Sequence, residues 1–286
     1  MKINSEFLTN HKELTHDFNT SSTHTREAFL KSLMNIASTD LALAHSIFKT
    51  SAVRTVMSSL EKKMPKEFIG AFSVYKKFDT VELRGGKLYG KKHWISNADN
   101  ANIAIIQVKT DKGIMLCKTS IPSGQEQFLV SPGMMDSSTY DVDFIGETAE
   151  PLFLKTDTQY FDTSKHNTLA FIANHLGAVS GLLPHMSNKS DLLSEHKNLL
   201  IVLHHCIKTN DEIPSDAFWH QRNALYLQSK QLLVRTLQRI IEFDGGMFYS
   251  LNSRQGRHFF NCLTYSGHNG PMQANYLTTF TEPQDY

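Results

Sequence analysis

The chain has 286 residues, of which 40% are hydrophobic, so it is long enough to bury a sizeable core. Its 29 Lys and Arg balance 28 Asp and Glu, and this net charge of +1 offers no field to attract nucleic acid or an anionic membrane. No run approaches the roughly 20 apolar residues of a membrane helix, and the polar N-terminal sequence lacks the apolar core of a signal peptide, so we expect a cytoplasmic protein.

Residues 1–66 are predicted to be a helical region. A helix over Glu27–Ile36 is followed by Ser38, Thr39 and Asp40, residue types that begin helices, and then by a second helix. Apolar positions recur near the helical period in this second helix, which predicts one buried stripe made of Leu43, Ile47, Val53 and Leu60.

Residues 67–160 are predicted to be a β-domain, and residues 161–286 a helical domain. Seven short strand-like runs separated by Gly, Pro, Asn and Asp favour a small barrel or sandwich. The last region has helical periodicity over 164–183, about 190–208 and 216–243. The sequence therefore predicts an α+β protein with its β-domain between two helical regions.

The run from Leu88 to Val108 (LYGKKHWISNADNANIAIIQV) is the most informative segment. It is typical of two strands joined by a polar turn, and Trp94 and Ser96 would lie on the same face because they are two positions apart. His93 would then lie on the opposite face. An aromatic plane beside a hydroxyl can bind a flat heterocycle, although plain packing in the sheet is an equal alternative for both residues.

The segment from Gly90 to Val108 resembles the middle β-domain of the acyl-CoA dehydrogenase superfamily, in which a GxKxWI(S/T)N strand lies along a flavin ring. Further similarity is found in Gly133–Lys155 and Asn174–Leu183, and in the helix that ends in FDGGMFY. The resemblance implies the acyl-CoA dehydrogenase fold: shortened N-terminal helices, a middle β-barrel or sandwich and a C-terminal bundle. It also implies a flavin that contacts Trp94 and Ser96 with its ring and Gly245 and Gly246 with its phosphates.

Departures from the family pattern narrow the expected chemistry. Ser266 occupies the position of the catalytic glutamate, and the alternative helix for that glutamate, 166–185, contains no acidic residue. A carboxylate is what α-proton removal requires, so classical dehydrogenation is not expected. The segment Phe259–Pro271 resembles the flavin-dependent monooxygenase branch instead, which implies that His268 is an acid or base. The upstream run AFSVYKKFDTVELRGGKLYG also resembles that branch, which implies that Ser73 faces the flavin.

The expected cofactor is FAD, FMN or reduced flavin from a partner reductase, or none. The family arginine that steadies the flavin diphosphate has no counterpart in 186–215, and the family Gln before the two glycines is Glu242, which would repel a phosphate. The fold implies a homo-oligomer, for which the helix 216–243 has enough apolar length, or an assembly with a full-length homologue. The substrate would be a small molecule or an acyl group.

Several residues have structural alternatives to these roles. His268 could be a surface histidine, and Gly245 and Gly246 could only end a helix. The cluster His204-His205-Cys206 is not predicted to bind zinc, because adjacent helical residues diverge around the axis, and no metal site is expected. Two functions are therefore open: a flavin-dependent monooxygenase or oxidase, and a degenerate relative that acts as a binding or scaffold subunit.

Overall fold

The structure is a computed structural model, and the residues that it describes are 23–62, 64–65, 68–123, 126–128, 134, 137–155, 157–209, 215–244, 248 and 253–266. Of residues 23–25, 126–128, 158–166 and 215–219, it describes the backbone alone. The element order is two helices, seven strands and then a group of helices, so the predicted order of helical, β and helical regions is confirmed.

The N-terminal helices are α1, Thr23–Ala37, and α2, Leu41–Ser59. Asp40 begins α2 as predicted, because its side chain accepts a hydrogen bond of 2.9 Å from the Leu43 amide. The single buried stripe expected for α2 is wrong. Nearly every residue from Leu41 to Met57 is buried, because α2 packs against α1, a C-terminal helix and the first strand.

The C-terminal helices are α3, Thr158–Leu182; α4, Ser190–Lys208; α5, Ser215–Arg239; and α6, Arg254–Ser266. A short 3-10 turn, Leu183–His185, follows α3, and a π-helical segment, Ile240–Asp244, continues α5. Helix α3 is central, since it contacts α1, α2, α4, α5 and α6.

Two glycines allow α3 to lie close to α1 and to the turn that follows α1. A Cβ at Gly177 would lie 2.5 Å from the Met34 carbonyl oxygen, and one at Gly181 would collide with the carbonyl oxygen of Ser38. The helices could not approach this closely with larger residues at these positions.

The strands form a closed barrel. They are β1, Gly70–Ser73; β2, Glu82–Arg84; β3, Lys87–Ile95; β4, Ile103–Thr110; β5, Gly113–Thr119; β6, Glu126–Phe128; and β7, Tyr140–Leu154. Pairing runs β4–β2–β3–β7–β5 and returns from β5 to β4, while β1 adds to β4 and β6 adds to β7. The run TYDVDFIG predicts a strand that ends at Gly146, and β7 continues eight residues beyond this position.

The barrel and the helices have separate cores. Alternation along β4 sends Ala104, Ile106 and Val108 into the barrel, whereas Ile105 joins the helical core. This outward side of the barrel wall therefore faces α2 and α3.

A β-bulge interrupts β3 close to its end. The register of β3 with β7 shifts between Lys92 and Ile95, and Trp94 has a φ of +58°. In consequence His93 and Trp94 both contact the ring of Phe78, at 4.8 and 5.9 Å between ring centroids. The prediction that His93 lies on the face opposite Trp94 is therefore wrong.

The C-terminal apolar residues predicted for a subunit interface are mostly core residues of this chain. Leu225, Leu232, Leu233, Leu237 and Ile240 are buried, and of that set only Ile241 is exposed, at 48%. Within the described ranges, no helix is both long and apolar enough to cross a membrane.

Candidate functional site

The candidate site lies where α2 meets the end of the barrel, and a histidine and a serine form its centre. His45 Nε2 lies 3.1 Å from the hydroxyl of Ser96, which directly follows β3. Both side chains are buried, with exposed fractions of 1% and 3%. Helix α2 thus covers the hydroxyl of the Trp-Ile-Ser motif with an imidazole.

Ser96 and His45 end a chain of hydrogen-bonded hydroxyls. Ser137 Oγ and Thr139 Oγ1 are 2.7 Å apart, and Thr139 donates to Ser96 over 3.1 Å. Hydroxyl groups both donate and accept, so such a chain can pass a proton to or from an imidazole.

Asn97 fixes the turn that carries this site. Its φ of +65° is a left-handed conformation that Asn tolerates better than most residues. Its amide donates 2.9 Å to the Ser46 carbonyl and 3.0 Å to the Gly70 carbonyl, which ties α2 and β1 to the turn. Two serines next to residues of this site, Ser46 after His45 and Ser138 after Ser137, have buried hydroxyls. These hydroxyls have no hydrogen-bond partner among the described residues.

Aromatic rings surround His45 on its helical side. The ring of Tyr265, from α6, lies 5.4 Å from the imidazole, and those of Phe48 and Phe171 lie at 6.0 and 6.5 Å. The Tyr265 hydroxyl accepts a hydrogen bond of 3.2 Å from Asn174, and burial raises the pKa of this phenol. Tyr265 therefore stays protonated and uncharged at neutral pH.

His175 is a second buried imidazole in this aromatic group. Its Nδ1 lies 3.0 Å from the hydroxyl of Ser229, and its ring lies 5.5 Å from that of Tyr265. Burial, with a smaller effect of Lys230, lowers the pKa of His175 to about 3. This residue is a neutral member of the core at physiological pH.

Trp94 presents an accessible ring on the outer side of the barrel. The indole is 39% exposed, and the Lys76 ammonium lies 5.4 Å from the ring centroid. The Ser73 hydroxyl donates a long hydrogen bond of 3.5 Å to the Trp94 carbonyl. The structure therefore brings two of the predicted flavin contacts, Ser73 and Trp94, next to each other.

A buried ion pair supports the loop before β2. The Lys92 ammonium pairs with Asp79, both side chains are fully buried, and Lys92 also donates 2.6 Å to the Val74 carbonyl. The other oxygen of Asp79 accepts from the His93 amide at 2.9 Å. This arrangement connects the loop to the bulge that carries Trp94.

The predicted site residues have different outcomes. Ser73, Trp94 and Ser96 lie around the barrel end as described above, whereas Gly245, Gly246 and His268 lie outside the described residues. His45 was missed by sequence reasoning. The signal for it is present in the sequence, because LALAHSIF places two polar residues inside an otherwise apolar run that the helical period would bury.

Ser266 closes the described part of α6 and is half-buried. Its hydroxyl donates 2.8 Å to the Leu263 carbonyl, so it caps its own helix. Across the described ranges, no group of three or more His, Cys, Asp and Glu side chains is placed to hold a metal ion.

A separate cavity of about 370 Å³ lies at the far end of α3. Positively charged or ionisable side chains from two elements line it, namely His185, Arg254 and His258. The backbone turn before α2 and Phe248 complete its wall.

Comparison with known proteins identifies the fold. No family model matches the sequence, and no curated protein matches it. Solved structures do match: butyryl-CoA dehydrogenase from Megasphaera elsdenii has a TM-score of 0.71 at 13% identity, over 92% of this chain and 86% of that one.

Two further matches have related architectures. A glutaryl-CoA dehydrogenase from Mycobacterium smegmatis in complex with FADH2 has a TM-score of 0.66 at 13% identity, over 93% of this chain and 83% of that one. The 3-HSA hydroxylase from Rhodococcus sp. RHA1 has a TM-score of 0.69 at 10% identity, over 93% and 86%. The predicted acyl-CoA dehydrogenase-like fold is therefore confirmed.

Proposed function

We propose that this chain, which has the acyl-CoA dehydrogenase fold, is a divergent flavin-dependent oxidoreductase of that superfamily. Monooxygenase or oxidase chemistry suits it better than dehydrogenation. The observation that carries this proposal is the imidazole of His45 at 3.1 Å from Ser96, at the end of the Trp-Ile-Ser strand. An imidazole can both donate and accept a proton, which suits reactions of a flavin with oxygen, and the glutamate position of the dehydrogenases is Ser266 in this chain.

The residues at the barrel end fit a flavin ring. Trp94 offers an accessible aromatic plane, and Ser73 lies beside its carbonyl. The buried hydroxyls of Ser46 and Ser138 have no partner among the described residues, so they could bond the polar edge of a heterocycle. A bound flavin, as FAD, FMN or its reduced form, would supply the redox chemistry.

In this proposal His45 holds or releases a proton through the hydroxyls of Ser96 and Thr139. The aromatic rings of Phe171 and Tyr265 exclude water on the helical side. His268, predicted as an acid or base, would act from the segment that follows α6 in the chain.

In this proposal the phosphates of the cofactor would lie in the cavity at the C-terminal end of α3. Phe248 lines this cavity and follows Gly246 by two positions in the sequence, and Arg254 supplies a guanidinium. A guanidinium can donate hydrogen bonds to two phosphate oxygens at once, and this attraction would offset the repulsion expected from Glu242.

The test is flavin titration of the purified chain, followed by oxygen consumption with a flavin reductase and NADH. We expect FAD or FMN to bind with a shifted visible band, and Trp94→Ala to weaken this binding at least tenfold. His45→Asn should keep flavin affinity and lower flavin-dependent oxygen consumption. Tyr89→Ala is a matched control, because Tyr89 is a similarly exposed aromatic residue of β3.

A chain that neither binds flavin nor changes its fluorescence would overturn the oxidoreductase proposal. If Trp94→Ala binds flavin as tightly as the unaltered chain, the flavin does not bind at Trp94 and the site assigned here is wrong.

The second candidate is a non-catalytic subunit with the same fold. Ser73 and Ser96 are both buried and engaged in hydrogen bonds within the chain, as expected if packing alone has kept them. This candidate predicts a colourless protein that binds a homologue with a complete flavin site, which co-purification of the two chains would detect.

We further propose that the chain assembles through its C-terminal helices. The residues available for this are the exposed apolar side chains of Leu227, Ile241 and Phe243, which lie on α5 and the π-helical segment. Size-exclusion chromatography with light scattering tests it, and Phe243→Lys should shift an oligomer toward the monomer.

A further inference from the structure

A buried lysine lies one helical turn beyond His45 on α2. Lys49 is 8% exposed, and its ammonium lies within 6 Å of three aromatic ring centroids: Phe48 at 5.2 Å, Phe171 at 5.7 Å and Phe72 at 5.8 Å. These rings come from α2, α3 and β1, so the ammonium lies at the junction between the helices and the barrel. All three of these contacts are with uncharged aromatic rings.

The Lys49 ammonium has no hydrogen-bond acceptor among the described residues. In water it would donate three hydrogen bonds, and aromatic faces replace only part of that solvation. The ammonium groups of Lys76 and Lys92 are close enough to lower the pKa of Lys49, so the neighbouring charges that affect it are positive. Among the described residues, the carboxylate of Asp79 interacts with Lys76 and Lys92, and it is paired with Lys92.

The groups around Lys49 therefore have an excess of positive charge. In the part of the chain that the structure describes, the interacting groups are the ammonium groups of Lys49, Lys76 and Lys92 and the carboxylate of Asp79. Burying an unpaired cation costs several kcal/mol in a protein interior. An anion that entered beside Lys49 would relieve this cost, and the rings would contact the apolar part of the same molecule.

We propose that Lys49 recognises the carboxylate of a small organic acid with an apolar body, and that such an acid is the substrate class of this site. The proposal rests on the flavin-dependent function, since it names the substrate of the same site. The Phe48, Phe72 and Phe171 rings would hold the apolar part, and His45 would lie one helical turn away, within reach of the bound molecule. A monocarboxylate suits a single unpaired ammonium, because Lys92 is committed to Asp79.

Calorimetric titration at pH 6 tests the proposal with two acids and their neutral amides. The probes are benzoate against benzamide and hexanoate against hexanamide, with the full chain in the absence and presence of saturating flavin. We expect at least one acid to bind tenfold or more tightly than its amide. Lys49→Met should abolish this preference, Lys49→Arg should retain it in part, and Lys118→Met, which removes an exposed strand lysine, should leave it unchanged.

Equal binding of acid and amide, no binding of either acid, or a preserved preference in Lys49→Met would each overturn the proposal. The comparison of acid with amide in the unaltered chain decides the matter even if Lys49→Met does not fold. A carboxylate preference without flavin binding would remove the oxidoreductase function and leave the acid site in place. Flavin binding without a carboxylate preference would remove the acid site and leave the oxidoreductase function in place.

Discussion

His45 Nε2 and Ser96 Oγ, 51 positions apart in the chain, lie 3.1 Å apart and connect the second helix to the end of the barrel. The pair is enclosed by α2 on one side and by the turn at Asn97 on the other. Because both groups are buried, water cannot replace this contact if it is lost.

Ser96→Ala should destabilise the fold and Ser123→Ala should not. The first change removes the hydrogen bonds that the Ser96 hydroxyl forms with His45 and Thr139, which costs about 1–3 kcal/mol. Ser123 is exposed, so its hydroxyl is replaced by water. Urea denaturation followed by circular dichroism measures both changes, and equal midpoints would mean that the His45–Ser96 contact adds nothing to stability.

The buried ion pair predicts a strongly non-additive pair of substitutions. Lys92→Met leaves the Asp79 carboxylate buried without its cation, and Asp79→Asn leaves the ammonium without its anion. Each should cost about 3–5 kcal/mol, whereas the double variant should cost clearly less than the sum. Free energies of unfolding from denaturant titrations provide the cycle, and additive values would show that the pair is not coupled.

Lys49 predicts a stability that rises with pH in the absence of ligand. Burial, followed by Lys76 and Lys92, lowers the pKa of Lys49 from 10.5 to about 7 in the folded chain. Between pH 7 and 10 the unfolded chain binds more protons at this residue, so the free energy of unfolding increases by up to about 1.4 kcal/mol per pH unit.

Lys49→Met removes that dependence. The stability of the unaltered chain relative to this variant should therefore rise from pH 7 to pH 10, as measured by denaturation midpoints at several pH values. Lys118→Met should follow the unaltered chain, and parallel curves for all three proteins would contradict the low pKa of Lys49.

Because α3 lies so close to α1 and the turn after it, substitutions at the neighbouring positions Gly181 and Ser180 should differ sharply in their effect on stability. Gly181→Ala places a methyl group against the Ser38 carbonyl, which must move, and should cost about 1–3 kcal/mol. Ser180→Ala, at an exposed position of the same helix, should stay within about 0.5 kcal/mol of the unaltered chain. Thermal melts compare the two, and similar Tm values would mean that the helices can separate freely.

Local patterns were sufficient to predict most elements of this fold. The Asp40 cap and the strand runs each depend on neighbours in the sequence, and both predictions are confirmed. The environment of α2 was not predictable in this way. Its burial on all sides comes from α1, α3 and β1, and periodicity within α2 cannot reveal how many partners surround it.

The candidate site shows the same limit more strongly. The motif at Trp94 and Ser96 was recognised from the sequence, but the bulge that turns His93 toward Phe78 depends on the register with β7. His45 and Lys49 gain their importance from contacts with distant residues, since Ser96 and the rings of Phe72 and Phe171 approach them only in the folded chain. Single-residue properties could suggest them only as polar positions in an apolar helix.

The length of β7 has a consequence for synthesis of the protein. This strand pairs with β3, β5 and β6, all of which precede it in the chain, so the barrel cannot close until Leu154 has left the ribosome. Until then, β3 and β5 each have an unpaired edge, and the apolar residues of the barrel interior are not yet enclosed. Such edges pair readily with other chains, so we expect the nascent protein to need chaperone protection mainly during the interval between synthesis of β5 and synthesis of β7.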